Sequence, residues 1–459
     1  MPASVATLLT FVIVLMLLAR TRLRHADASF ALWLPVLWLT ITGSRFVSQW
    51  LSLGVPMSAG SDSEGSTLDA IFFGTLMVVG FFVLLQRQIA FGEFLRANAW
   101  LALFLAFGLL SVAWSDYPFI AFKRWTKAIG HPVMALIILT DPDPVRAIRT
   151  VLKRCSFVLL PVSVLLIKYY PEYGRSFDLY DGMAVDNGAA LTKNGLGYVC
   201  MTAGLLFVWQ LLWEDDGHAA RSRTTETFVA LGMLAAVLWL LYRSGSATSA
   251  TTFAVGALTM IAIRIRVVNA RTLTTLLVLG LVSAALLEYL FEVYEQTLLL
   301  LGRDPTLTDR TVIWRDVIAL QGAPLIGTGF ESFWLGPRLE VLWDKWWWRP
   351  NQAHNGYIET YLNLGYVGVF LLAVAILSAY SSIRRSLVTE PVQAPFRLAL
   401  LIVIVLFNLT EAGFKGVHFM WTMFYLVALE VPVVAAARAA RQQERPEAGY
   451  EMHRPRWQR

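Results

Sequence analysis

The sequence predicts an all-α polytopic membrane protein, with 11–13 transmembrane helices and one long extracytoplasmic loop containing short amphipathic helices. Three observations predict it. Of the 459 residues, 57% are hydrophobic, and the mean hydropathy is +0.57. Charged residues make up 15%, against about 25% in a soluble domain, so water offers no hiding place for this much apolar surface. Runs of about 20 mostly apolar residues, the length that crosses a bilayer, recur along nearly the whole chain.

The spans are taken in order. The first run, 5–19, is followed by Arg20, Arg22 and Arg24. A cleaved leader carries its charge ahead of the apolar core, so this run reads as a retained helix at 4–19. Further spans are predicted at 30–48, 68–85, 97–113, 119–139, 155–170, 195–213, 226–242, 247–263 and 273–291, then at 356–379, 396–410 and 418–437. No internal repeat is visible. Alternate loops and the C-terminal tail hold 23 of the 38 Lys and Arg residues. Basic loops stay cytoplasmic, which puts the acidic loop 58–66 and the long stretch 292–355 outside. The predicted organisation is a bundle over 1–291, an outer loop over 292–355, C-terminal helices over 356–437 and a basic cytoplasmic tail over 438–459. Orientation accounts for much of the +6 charge, so nucleic acid is not the implied partner. Cys155 and Cys200 lie in apolar segments and show no disulfide or metal-type spacing.

Several cations are left over once topology is satisfied. In 114–132, WSDYPFIAFKRWTKAIGHP, Lys123, Lys127 and His131 follow at i, i+4 and i+8, with Arg124 beside them. On one helix they share a face. Charges within an apolar span are costly and face a bundle interior or a watery cavity, so an anion site and internal salt bridging are both open readings. In 241–252, LYRSGSATSATT, Arg243 precedes a small hydroxyl-rich turn. Helix-start N–H groups there favour an anion, and a plain polar turn fits equally. In 308–334, Thr308 or Asp309 reads as a cap. Val312, Ile313, Val317 and Leu320 then predict an amphipathic helix over 310–320 on the bilayer surface, with Arg310 and Trp314 on one face.

The stretch 343–355 carries Trp343, Trp346, Trp347 and Trp348, then His354 and Asn355. The indoles read either as an aromatic belt or as a platform on which sugar rings stack. His354 is a candidate base, because imidazole takes a proton at neutral pH; a structural histidine at a helix start is the alternative. The carboxylate pairs at 141–144 and 214–216 read as a helix cap followed by proline and as a solvated loop. With neither a phosphate-binding glycine loop nor a dinucleotide fingerprint in a suitable context, nucleotide-driven chemistry is not expected.

Six stretches carry a family likeness in order: WSDYP with KRW (114–125), TKNGLG (192–197), SGSATS (244–249), DRTVIW (309–314), PLIGTGFESFW (324–334) and HNGYIETYLNLGYVG (354–368). The last has His354 and Asn355, nine residues, then Gly365 and Gly368. Together, over about 114–416, they resemble the O-antigen ligase and polymerase superfamily, most of all its exopolysaccharide-polymerase branch. The resemblance implies transfer of a glycan from undecaprenyl pyrophosphate to an acceptor hydroxyl at the outer, periplasmic face of the bacterial inner membrane. It implies no metal and no other cofactor, because the pyrophosphate-linked sugar is already activated. It implies His354 as base and Arg310 as the loop arginine on the pyrophosphate. Arg243 stands for a second family arginine, although the local pattern departs there. Lys123 and Arg124 match basic positions near phosphate, and Lys193 and Asn194 match a Lys-Asn pair. Trp314, Asn355 and Trp348 complete the substrate-binding set, the tryptophans lining the acceptor path.

The implied partners are the undecaprenyl-pyrophosphate-linked oligosaccharide, an acceptor glycan or lipid A core, the bilayer, a chain-length regulator and a flippase. Polymerisation of exopolysaccharide or O-antigen repeat units is the leading expectation. Ligation to lipid A core, or to protein, is a second. A transporter or flippase for the same lipid-linked glycan is a third, from another class; it predicts inverted repeats and broken midplane helices.

Overall fold

Backbone polar groups in a bilayer must be satisfied within the chain, so apolar runs form helices. The computed structural model describes residues 1–24, 29–52, 66–87, 89–177, 182–213, 220–265, 272 and 310–432. The span expected at 273–291, the loop 292–309 with Thr308 and Asp309, the acidic pair at 214–216, most of the acidic loop and the basic tail lie outside these.

Helix α1 is Ala3–Arg24. A 3-10 turn, Phe30–Leu32, leads into α2 (Trp33–Thr42), followed by the short α3 (Val47–Leu51). The α4 helix (Thr67–Leu85) starts on Ser66, whose hydroxyl accepts from the Leu68 N–H. Next come α5 (Phe91–Ala97) and α6 (Ala99–Leu110), bent at 89° to one another. The single span expected at 119–139 is written as two helices, α7 (Pro118–Ala128) and α8 (Gly130–Leu139), interrupted at Ile129. There the Trp38 ring packs so closely that a Cβ on Gly130 would lie 2.0 Å from it. The α9 helix (Pro144–Tyr169) is capped by Asp143 ahead of Pro144, as the 141–144 pattern predicts.

A one-turn α10 (Pro171–Gly174) precedes an antiparallel ribbon, β1 (Arg175–Phe177) with β2 (Ala184–Asp186), in which Arg175 faces Asp186. Three-residue strands carry too little alternation to be read from sequence. Helices α11 (Lys193–Trp213), α12 (Ala220–Ser244) and α13 (Ala247–Arg264) follow. The region 310–355 holds α14 (Arg310–Ala319) and α15 (Pro337–Lys345). Last come α16 (Gly356–Thr389), α17 (Ala394–Thr410) and α18 (Phe419–Ala428).

The protein is an all-α polytopic membrane protein. Among the described residues, seven helices are long and apolar enough to cross a bilayer: α1, α4, α9, α11, α12, α13 and α16. The bent pair makes an eighth, and Phe30–Thr42, α17 and α18 are shorter apolar helices. Helices α9 and α11 are interior, while α1 and α4 leave most of their apolar surface uncovered. Trp209 of α11 stacks on Phe396 of α17 at 4.4 Å in the main core.

A second, smaller core joins Ile313, Val317, Phe333, Trp334, Leu342, Ala353 and Leu362. The amphipathic helix expected on the bilayer surface is therefore seated on protein: Ile313 and Val317 of α14 are buried in this core. The expected common face of Lys123, Lys127 and His131 is interrupted at Ile129, between α7 and α8. Lys123 lies 5.5 Å from the Phe119 ring. His131 is fully buried, with Nδ1 2.7 Å from the Thr422 hydroxyl and 3.3 Å from Trp38 Nε1. That is the environment of a structural histidine.

Candidate functional site

The region 310–355 is held by backbone pairing across a break in α16. Gly365 has φ +64, and the helix is non-helical there. The segment 324–331 fills the gap: Pro324 and Leu325 carbonyls accept from Tyr366 and Val367, while the Thr328 and Gly329 N–H groups donate to Leu362 and Asn363. A Cβ on Gly327 would lie 2.3 Å from the Asn363 backbone. The glycines of PLIGTG and NLGYVG therefore let two backbones meet, and each segment satisfies polar groups the other exposes.

The same contacts aim His354. Asn355 caps α16, its side-chain oxygen accepting from the Tyr357 and Ile358 N–H groups and its Nδ2 donating to the Leu409 carbonyl. The Gly356 N–H donates to the Glu411 carbonyl, and its missing side chain makes room for buried Asn408. His354 sits just before the cap at φ +52, a conformation open to His, Asn and Asp more than to most residues.

Glu411, between α17 and α18, is the residue these stretches share. Its side chain is 7% exposed. Oε1 accepts from Arg310 Nη2 at 2.8 Å and from Asn194 Nδ2 at 2.7 Å. Oε2 lies 3.5 Å from His354 Nδ1, which is buried and otherwise without a hydrogen-bond partner. Arg310 also donates to the Thr410 carbonyl, and the Thr410 hydroxyl meets that of Thr248 at 2.8 Å. Burial pushes the Glu411 carboxyl up, but the His354 contact and the Arg310 charge outweigh it, and the carboxyl lies below its ordinary value. Three of the six sequence stretches thus converge on one carboxylate, and a fourth, 244–249, reaches the neighbouring Thr410 through Thr248.

The other two stretches meet beside it. Arg124 donates to the Glu331 carbonyl, and the Glu331 carboxylate accepts from the Gly416 N–H at 2.8 Å. Ser115 and Ser332 hydroxyls pair at 2.7 Å, and Arg338 pairs with Asp116 at 2.6 Å. Burial pushes the Glu331 carboxyl above its ordinary value, against the pull of Lys415 and with the push of Glu359. Fully buried Glu359 accepts from Trp334 Nε1 and from the Ala353 N–H at 2.6 Å, with Lys415 at 3.9 Å. This network braces the residue that precedes His354.

The tryptophan run divides. Trp346 donates to Asp316 and Trp343 to the Pro350 carbonyl. Trp348 packs on Trp346 and faces His354 at 6.5 Å between ring centres. Trp314 donates to the Ala353 carbonyl at 2.6 Å. Only Trp347 of the run stands out, 68% exposed. Trp343, Trp346 and Trp348 are half-buried, with Trp346 and Trp348 packed against the second core.

Lys193 and Asn194 begin α11, and Asn194 reaches Glu411. Arg243 makes its contacts elsewhere: it pairs with Asp186 at 2.6 Å, an aspartate shared with Arg175, and lies over Trp239. A cavity of about 210 Å³ borders Glu411 and is lined also by Thr192, Asn194, Gln352, Tyr198 and His418. Sequence reasoning missed Glu411, Glu359 and Glu331. The signal was present for Glu411, a lone acid between two apolar runs, since an ionisable residue there marks a functional site by default.

Residues 228–373 match a family model described as O-antigen ligase. That stretch runs from α12 through 310–355 into α16 and includes Arg243, Arg310, Trp314, Trp348, His354 and Asn355. The chain is also similar to the exopolysaccharide production protein ExoQ of Rhizobium meliloti (strain 1021). The two are 26% identical over 341 residues, covering 69% of this chain and 74% of that protein.

Proposed function

We propose, from the O-antigen ligase/polymerase-like family that both similarities support, that this membrane protein moves a glycan from undecaprenyl pyrophosphate to a sugar hydroxyl. The reaction takes place at the outer face of the bacterial inner membrane, with 292–355 as the periplasmic catalytic loop. Polymerisation of exopolysaccharide or O-antigen repeat units is the reading the similarity to ExoQ favours.

The observation that carries it is the meeting of His354, Arg310 and Asn194 around one buried carboxylate. His354 Nε2 takes the proton of the acceptor hydroxyl as its oxygen attacks the anomeric carbon. The bond from that carbon to the pyrophosphate oxygen breaks, and its electron pair leaves with the pyrophosphate. Arg310 presents a planar fork suited to phosphate oxygens. It stabilises charge as it develops on the leaving group, often the largest single contribution to such catalysis. Lys123, Arg124 and Lys193 extend the positive field toward the donor, while Arg243, ion-paired with Asp186, ties β2 to α12. Asn355, Trp314 and Trp348 fix the loop that presents His354. The leaving group is activated already, so this reading calls for no metal or nucleotide.

Ligation to lipid A core is the second reading, favoured by the match to the O-antigen ligase model. Proteoliposomes given a fluorescent undecaprenyl-pyrophosphate repeat unit separate the two. A product ladder from donor alone supports the polymerase. Product formed only when lipid A core is added supports the ligase. Movement of the lipid across the bilayer with neither product replaces both with a transporter.

A further inference from the structure

We infer that Glu411 is a positioning residue for His354, the acidic member of a carboxylate–imidazole pair. The inference rests on the reading of His354 as base. Glu411 Oε2 is the acidic atom facing His354 Nδ1, at 3.5 Å, and that nitrogen is buried with no closer hydrogen-bond partner among the described residues. A carboxylate in this place favours the tautomer with the proton on Nδ1, which leaves the Nε2 lone pair for the acceptor hydroxyl. When Nε2 takes the acceptor's proton, the resulting imidazolium lies against an ionised carboxylate. Glu411 itself gains no proton.

The geometry of the other oxygen supports this assignment. Arg310 and Asn194 both hold Oε1, so the carboxylate cannot swing freely and Oε2 is left toward the imidazole. The main chain ties the two residues as well: the Glu411 carbonyl accepts from Gly356, two positions after His354. A carboxylate 7% exposed at the end of an apolar helix is costly unless its partners repay its dehydration. Its partners here are three of the residues assigned to the reaction.

A residue that only anchored Arg310 would affect donor binding; one that orients the base affects turnover. The test measures kcat and donor KM in proteoliposomes with the fluorescent lipid-linked repeat unit, for wild type, Glu411→Gln, Glu411→Asp and His354→Ala. Glu411→Gln is expected to lose about 100-fold or more in kcat, the scale of an acid–base contribution, with donor KM no higher than wild type. Glu411→Asp, which keeps the charge, is expected to fall between the two. If the Gln variant has no thermal transition, the Asp variant decides: reduced kcat at unchanged KM supports the pair, and wild-type kcat overturns it. A Gln variant with wild-type kcat, or with its whole loss in a raised donor KM, overturns it also, while an inactive His354→Ala leaves the base reading standing. Turnover by His354→Ala removes that reading and this inference together.

Discussion

Gly356→Ala probes how the helix start aims His354. A Cβ at this position would lie 2.0 Å from Asn408 Oδ1 and 2.8 Å from its Cγ, where ordinary contact begins at 3.4 Å. Something must therefore move by about 1.4 Å. Asn408 cannot swing away at no cost. It is fully buried, its Nδ2 donates to the Ile404 carbonyl at 2.9 Å, and its Oδ1 accepts from the Phe414 N–H at 2.8 Å. If the helices part, overpacking costs about 1–3 kcal/mol. If Asn408 turns instead, an orphaned buried N–H costs about 1–3 kcal/mol.

Either route shifts Glu411 relative to His354, because the Gly356 N–H to Glu411 carbonyl bond spans the same contact. A misplacement near 1 Å can cost about 100-fold in rate. The assay is thermal unfolding in detergent together with turnover in proteoliposomes. Gly74→Ala is the control, since no atom lies within 4 Å of a Cβ built there. Gly356→Ala is expected to melt lower and turn over about 100-fold more slowly. A Gly356→Ala protein matching the control in both measurements would refute the reasoning.

Three further outcomes are expected. Arg310→Lys keeps a cation but loses the fork, so most turnover should go; wild-type rates would remove Arg310 from the leaving group. Trp348→Ala empties part of the loop core and should cost about 3–5 kcal/mol, while exposed Trp347→Ala should stay within about 0.5 kcal/mol of wild type. Equal effects in thermal melting would contradict the division of the run. Because the Glu411 carboxyl lies below its ordinary 4.5 in the folded protein, its ionised form contributes stability that is complete above 4.5 and is lost as pH falls through the folded value. The melting-temperature gap between wild type and Glu411→Gln should therefore be level above 4.5 and narrow in more acidic solution. A gap that widens on acidification would reverse the sign.

The fold was legible wherever one physical signal dominated. Length and apolarity announced the long spans such as α9, α11 and α16, and Asp143 ahead of Pro144 announced the start of α9. Breaks were less visible. Gly365 interrupts α16 because a distant segment, 324–331, supplies the missing hydrogen bonds, and no local pattern encodes a partner 34 or more positions away. For the same reason α14 looked like a surface helix: its apolar face is covered by Phe333, Trp334 and Leu362, and spacing alone does not say whether lipid or protein covers such a face. Motif order pointed to His354, Arg310 and Asn194, which the fold brings together. It did not point to Glu411, whose importance lies in which three side chains reach it.

The most direct test of the central claim compares wild type with His354→Ala in proteoliposomes, matched for thermal transition and for binding of the fluorescent undecaprenyl-pyrophosphate repeat unit. With His354 as the base, wild type extends the repeat unit or transfers it to added acceptor, while the variant binds donor and makes no product. A folded His354→Ala protein forming product at the wild-type rate would contradict the account.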